Sequence, residues 1–80
     1  MYYVYLLRSV AKPSHRYIGF TNDVGRRLAE HNAGKSTATR FGAPWRVVTV
    51  IGFDSRDRAL AFERYLKSGS GRAFANKRLW

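Results

Sequence analysis

Among the polar side chains that could do chemistry, five stand out, and they lie in four segments of the sequence. Tyr5 and Tyr17 lie in two short apolar runs, YVYLLRS and RYIGF. Arg27 and His31 follow in VGRRLAEHN, and Glu63 lies in AFERYLK. A half-buried arginine needs an anionic partner or an aromatic face, and a carboxylate at a sheet edge can be a metal ligand. What these groups do depends on whether the fold brings them together.

The two tyrosines lie in segments that predict a β-hairpin. Tyr2–Ser9 and Arg16–Phe20 are rich in β-branched and aromatic residues, and Pro13 falls in the loop between them. If the strands pair antiparallel about residue 11, Tyr5 lies directly opposite Tyr17 on one face. Aromatic residues on strands are usually core residues, so plain packing is the alternative to a catalytic role for this pair.

The first helix is predicted over Val24–Asn32. Thr21 and Asn22 supply an N-cap, and Asp23 places a negative charge in the first turn. The helix is expected to end near Gly34, because glycine is the usual terminator.

Arg27 and His31 lie beside the apolar stripe of this helix, so we expect both to face the sheet. Arg26 and Glu30 fall on the opposite side, where an exposed ion pair contributes little to stability. The two adjacent arginines therefore have different expected environments.

The second half of the chain predicts one more strand and two more helices. A basic loop over residues 35–44 leads to Trp45–Phe53, a near-continuous apolar run that predicts the central strand of the sheet. Ser55 caps a helix over residues 56–67 that stops at SGSG, and residues 72–80 predict a short C-terminal helix. The positions of the second helix expected to be buried are Ala59, Phe62, Tyr65 and Leu66. The order β-β-α-β-α-α predicts one α/β (α+β) domain over residues 1–80, a small three-stranded antiparallel sheet flanked by helices.

Glu63 lies at the margin of that buried stripe, and two interpretations fit it. A Glu63–Lys67 pair would stabilise the helix by about 0.2–0.5 kcal/mol. Alternatively, the carboxylate is held at the sheet edge as a metal ligand. The other four acidic residues have structural explanations, at helix starts or on an outward helix face: Asp23, Asp54, Asp57 and Glu30.

Charge is the strongest global feature of the sequence. The chain has 15 Lys and Arg against 5 Asp and Glu, a net charge of +10. This balance favours a polyanion as partner, nucleic acid above all, and the excess of Arg over Lys favours bidentate phosphate contacts. The sequence has no cysteine and no apolar run long enough to span a membrane. We therefore expect a soluble, cytoplasmic protein with no membrane partner.

The motifs YVY at residues 3–5 and YIG at residues 17–19 resemble the pair that names the GIY-YIG nuclease superfamily. The resemblance continues through TNDVGRRLAEH, which places Arg27 ten residues after Tyr17, to the acid in AFERYLK, and it covers nearly the whole chain. Tyr3 and Val4 replace the Gly and Ile of the first motif, and Phe20 stands where some relatives have a lysine.

The resemblance implies a three-stranded antiparallel sheet flanked by helices, and metal-dependent cleavage of DNA phosphodiester bonds. Tyr5 would orient or deprotonate the attacking water, with Tyr17 hydrogen-bonded nearby, and Arg27 would stabilise charge on the phosphate. His31 would be an accessory polar residue, and Glu63 would hold Mg²⁺ or Mn²⁺.

Some roles stay open. Tyrosine is a weak base at neutral pH, so Arg27 or the metal must favour its ionised form, or Tyr5 only orients the water. Tyr5 is preferred to Tyr17 as the base. Lys67 could take the place of the missing lysine, and Asn76 could match an asparagine that many relatives carry late in the domain.

Basic residues outside this set are expected to hold the phosphate backbone: Lys35, Arg40, Arg46, Lys67, Arg72, Lys77 and Arg78. The expected substrate is DNA, branched or damaged DNA included, cleaved with structure-directed or weak sequence specificity, which would suit DNA repair. Because 80 residues leave no room for a separate specificity domain, a protein partner or a homo-oligomer is also expected. Two alternatives remain: a nucleic-acid-binding module without turnover, and a nuclease that acts on RNA.

Overall fold

The computed structural model describes all 80 residues and confirms the predicted element order and α+β class. The elements are β1 (Tyr2–Ser9), β2 (Arg16–Thr21), α1 (Val24–Asn32), a 3-10 turn (Arg40–Gly42), β3 (Trp45–Phe53), α2 (Arg56–Leu66) and α3 (Gly69–Arg78). None of the helices is long and apolar enough to cross a membrane.

The central strand of the sheet is β1, with β2 and β3 antiparallel on either side of it. The prediction that β3 is central is therefore wrong. Burial explains the difference: Val4, Tyr5, Leu6 and Leu7 are all buried in β1, whereas Val50 in β3 is 41% exposed. A strand between two neighbours with helices on both faces has no solvent side, and β1 is that strand.

Tyr5 pairs with Gly19 across the β1–β2 hairpin, and Leu7 pairs with Tyr17. The prediction that Tyr5 lies opposite Tyr17 is therefore wrong by two residues, a shift that keeps both tyrosines on the same face. The reason is steric, because a Cβ atom on residue 19 would overlap the phenol oxygen and Cζ of Tyr5. Only glycine lets the Tyr5 ring lie across β2.

The sheet buries a separate apolar cluster on each face. Helix α1 covers one face, and its Leu28 packs on a cluster formed by Tyr5, Leu7 and Trp45. Helices α2 and α3 cover the other face, where the buried residues are Val4, Leu6, Ala59, Leu66 and Ala75. Successive residues of β1 thus point alternately into the two clusters.

Asp23 is the N-cap of helix α1, and its side chain accepts a hydrogen bond from the Arg26 backbone N–H. The predicted cap at Thr21 and Asn22 is wrong, because Thr21 is the last residue of β2 and its hydroxyl accepts from the Asp23 N–H. The predicted terminator is confirmed: Gly34 adopts φ 77, a left-handed conformation that favours glycine.

The cap of α2 at Ser55 is confirmed. The SGSG segment does more than end this helix, since Ser68 is the N-cap of α3 and its hydroxyl accepts from the Gly71 N–H. Helix α3 therefore begins at Gly69, three residues before the predicted start. Tyr65 was expected to be buried and is 40% exposed, because α2 turns only the side of Ala59 and Leu66 fully to the sheet.

Candidate active site

A hydrogen-bonded chain of three buried side chains joins β1, α1 and the loop before β3. The Tyr5 hydroxyl lies 2.8 Å from Nε2 of His31, and Nδ1 of His31 lies 2.7 Å from the Thr39 hydroxyl. The Trp45 indole N–H donates to the backbone carbonyl of Thr39 at 2.8 Å and fixes that loop. The imidazole tautomer decides whether Tyr5 donates to His31 or accepts from it. His31 is therefore positioned by two partners.

Tyr17 packs against this chain through its ring. Its centroid lies 5.0 Å from that of His31, edge to face, and 6.3 Å from that of Tyr5. The expected hydrogen bond between the two tyrosines is absent, because Tyr17 lies diagonal to Tyr5 and the Tyr5 hydroxyl is directed to His31. Tyr17 is half-buried, so it is the tyrosine of this pair that solvent reaches.

Burial, together with the neighbouring Tyr17 and Glu63, raises the pKa of Tyr5 to about 12, and Arg27 acts in the opposite direction. At pH 7 such a group is phenolate in only ~1 molecule in 10⁵. Burial also lowers the pKa of His31, and the charge of Arg27 lowers it further. Proton transfer from Tyr5 to His31 is thus uphill, which favours a neutral Tyr5 that orients water over a free phenolate base.

Arg27 forms an ion pair with Glu30, with 3.0 Å between Nη1 and Oε1. This contact raises the pKa of Arg27 and lowers that of Glu30. The expected Arg26–Glu30 pair is wrong: the Arg26 guanidinium donates to the Asn22 side chain near the helix start, so Glu30 is left to Arg27. One guanidinium N–H of Arg27 is bonded to Glu30, and Arg27 also lies close enough to the Tyr5 hydroxyl to lower its pKa; the remaining N–H groups are available to a phosphate.

Glu63 accepts a hydrogen bond from Lys67 at 3.1 Å, which confirms the helical ion pair. The Glu63 side chain is 19% exposed, and its charge is close enough to raise the pKa of Tyr5. The chain has no group of three or more His, Cys, Asp or Glu side chains that could enclose a metal ion. A single carboxylate with a free oxygen fits Mg²⁺ or Mn²⁺ that keeps water and takes substrate phosphate as its other ligands.

Two open pockets follow β2 past these residues. The first, here the Trp80 pocket, measures about 450 Å³ and is lined by Arg16, Tyr17, Ile18, Leu66, Lys67, Arg72, Ala75, Asn76 and Trp80. The second, here the Arg56 pocket, measures about 400 Å³ and is lined by Tyr2, Phe20, Thr21, Asn22, Arg26, Arg27, Glu30 and Arg56. Of the candidate catalytic residues, Tyr17 thus lies on the cationic Trp80 pocket and Arg27 on the cationic Arg56 pocket.

The predicted phosphate-contacting residues divide between this edge and the rest of the surface. Lys67 and Arg72 line the Trp80 pocket, as does Asn76. Five others line neither pocket: Lys35, Arg40, Arg46, Lys77 and Arg78. Sequence reasoning missed Thr39 and most of the pocket lining, including Trp80 and three arginines: Arg16, Arg26 and Arg56. The arginines were detectable as neighbours of the motifs and of a helix cap, whereas nothing in the local sequence marks Thr39.

A three-stranded antiparallel sheet that sets the tyrosines of two strands against an arginine and a histidine of the following helix defines a GIY-YIG type of catalytic domain. A family model described as the GIY-YIG catalytic domain matches residues 1–78, and the chain belongs to this family.

Named relatives agree with that assignment. The structure-specific endonuclease subunit slx1 of Talaromyces marneffei is 50% identical over 68 residues, covering 78% of this chain and 18% of the relative. The subunit SLX1 of Candida dubliniensis is 42% identical over 73 residues, covering 82% of this chain and 26% of the relative. The chain therefore spans only a minor part of these curated relatives. The solution NMR structure of a UPF0213 protein from Bacillus halodurans is similar at 32% identity and a TM-score of 0.55, covering 96% of this chain and 84% of that one.

Proposed function

We propose that this protein is an endonuclease that hydrolyses DNA phosphodiester bonds with the help of Mg²⁺ or Mn²⁺, and that branched DNA is its substrate. The observation that carries the proposal is the contact of Tyr5 and Tyr17 with His31 of α1, with Arg27 on the same helix and the Glu63 charge near enough to raise the pKa of Tyr5. The relatives named structure-specific endonuclease subunits support a structured DNA substrate, and the word subunit supports a protein partner.

Arg27 and Glu63 have separate roles in this proposal. Arg27 binds the phosphoryl oxygens through its free N–H groups, because a guanidinium fork matches phosphate geometry. Glu63 holds the divalent ion, which when bound neutralises developing charge on the phosphate. Lys67 orients the carboxylate of Glu63 until substrate arrives.

The tyrosines and His31 place the attacking water. The Tyr5 hydroxyl is fixed by its bond to His31, so its remaining lone pair is a directed acceptor for water. His31 stays a neutral imidazole at pH 7 and holds the Tyr5 hydroxyl in place. Tyr17 lies at the solvent boundary and contacts the same water from outside.

Cleavage of a four-way junction and of supercoiled plasmid tests the proposal, with each metal in turn and with EDTA. Wild type should cleave only with metal, and Glu63→Ala should lose at least a hundredfold in rate, the scale of losing a metal or transition-state contact. Asp57→Ala is the matched control, because Asp57 lies on the same helix and is exposed in its first turn. Equal cleavage by both variants would place the metal ligand elsewhere.

The burial of Tyr5 favours one alternative, a domain that binds nucleic acid without turnover. Such a domain would bind the junction with steep salt dependence and leave it intact with either metal. A matched RNA junction in the same assay addresses the other alternative, since preferential RNA cleavage would change the substrate but not the chemistry.

A further inference from the structure

The Trp80 pocket is concave, cationic and partly aromatic, and the catalytic proposal gives it no role. Its volume of about 450 Å³ lies within the range of ~300–1,000 Å³ typical of small-molecule sites. Arg16, Lys67 and Arg72 line it, and no acidic residue does. Such an excess of positive charge in a cleft attracts an anion.

The indole of Trp80 supplies the aromatic surface of this pocket, and arginines hold it in place. The guanidinium carbon of Arg16 lies 4.6 Å from the ring centroid and that of Arg8 lies 5.7 Å from it, both at cation–π distance. The Nε–H of Arg8 is buried with no hydrogen-bond acceptor. This end of the sheet thus has more hydrogen-bond donors than acceptors. The same region has an aromatic wall at Trp80 and aliphatic side chains beside it.

The pocket begins beside the proposed metal ligand. Lys67 lines the pocket and is hydrogen-bonded to Glu63, and Tyr17 contributes to both the pocket wall and the ring cluster with His31. A ligand in the pocket would therefore lie beside the metal ligand proposed at Glu63. The chemistry that fits is an aromatic base attached to a phosphate.

We propose that the Trp80 pocket binds one unpaired nucleotide of the substrate strand, with its base against Trp80 and its phosphate on Arg16 and Arg72. The place of this nucleotide next to the cleaved bond rests on the proposed endonuclease function. Bases inside a duplex are paired and stacked, so only a junction, flap or gap presents one at low cost. The pocket thus lets a small domain recognise DNA structure without reading sequence.

Quenching of tryptophan fluorescence by a short oligothymidylate tests the pocket without any cleavage. The chain has two tryptophans, and Trp45 is only 6% exposed, so a stacked base acts mainly on Trp80. Wild type should show saturable quenching. Arg72→Ala should weaken the affinity about tenfold and reduce the slope of log K against log salt by about 1.

Arg64→Ala is the matched control, because Arg64 is exposed in the last turn of α2 and lines neither pocket. Its affinity should stay within twofold of wild type. Equal weakening by both variants, binding of a labelled oligothymidylate without quenching, or no binding at all would each overturn the proposal. These outcomes are independent of the Glu63→Ala assay. Quenching without cleavage would support the nucleotide pocket and refute the endonuclease proposal. Cleavage without quenching would support the endonuclease and refute the nucleotide pocket.

Discussion

Gly19→Ala should destabilise the protein and disable the site together, because the ring of Tyr5 occupies the space that the new methyl group needs. The added Cβ would overlap the hydroxyl oxygen and Cζ of Tyr5. Tyr5 is 2% exposed and hydrogen-bonded to His31, so it has no free direction in which to move. The ring must rotate away, and its bond to His31 must lengthen or break.

The magnitude follows from three contributions. Overpacking a well-packed interior costs about 1–3 kcal/mol. Leaving a buried hydroxyl or imidazole nitrogen unpaired costs about 1–3 kcal/mol if the bond between Tyr5 and His31 breaks. Alanine has less conformational entropy than glycine in the unfolded chain, which stabilises the folded variant by about 0.4–1 kcal/mol. With the bond broken we expect a net loss of about 1–6 kcal/mol. Each kcal/mol lowers the Tm of a domain this small by about 4–8 °C.

Urea unfolding followed by tryptophan fluorescence measures this loss, with the m-value as a check that the two-state transition is retained. Gly52→Ala is the matched control, because Gly52 is also a strand glycine and pairs with Tyr3 in β1. A Cβ atom added there would contact only the exposed Met1 side chain at 3.1 Å and the Tyr3 ring at 3.3 Å. This control should stay within about 0.5 kcal/mol of wild type. If Gly19→Ala unfolds at the same urea concentration as the control, the close packing of Tyr5 on β2 is refuted.

Three further predictions concern single contacts. Burial lowers the pKa of His31, so the folded state binds a proton at His31 less readily than the unfolded state does. The contribution of His31 to the free energy of unfolding is therefore full above about pH 6.5 and is lost as the pH falls through the lowered pKa. His31→Gln should flatten that acid-side loss in Tm measured against pH, and an unchanged profile would contradict it. The Asn32 side chain is hydrogen-bonded to the Trp45 backbone at both its N–H (2.6 Å) and its carbonyl (3.2 Å). Asn32→Ala should therefore lower the free energy of unfolding by about 1–3 kcal/mol, measured by urea unfolding. A neutral effect would show that solvent replaces both bonds. Glu63→Gln removes the ion pair with Lys67 and should change stability by no more than about 0.5 kcal/mol while abolishing cleavage; a large destabilisation would make Glu63 a structural residue.

The strands and helices were predictable because their signals are local. The aromatic and β-branched run of β1, the Ser55 cap and the Gly34 terminator each act within a few residues. The place of β3 in the sheet was not predictable in this way. Its apolar run is typical of a central strand, but strand order depends on which strand the helices cover on both faces, and that strand is β1.

In the candidate site, too, local sequence signals predict some features, and others depend on non-local contacts. The family and the five catalytic candidates followed from motif residues at recognisable spacing, and the family assignment is confirmed. Thr39 could not be found, because its bond to His31 depends on a loop that the Trp45 indole fixes from β3. The hairpin register also depended on a non-local fit, the Tyr5 ring over Gly19. The catalytic roles themselves stay predictions.

The order of strands along the chain has a consequence for how the molecule folds. Strand β1 is made first, and its β2 side closes through a short hairpin in which Leu7 pairs with Tyr17. Its other side stays open until β3 arrives, where Leu7 pairs with Val47. Non-local pairings are the slow part of folding, so docking of β3 should limit the rate. Until then one edge of β1 has no partner strand. This partly folded form of the chain is the one most prone to aggregation.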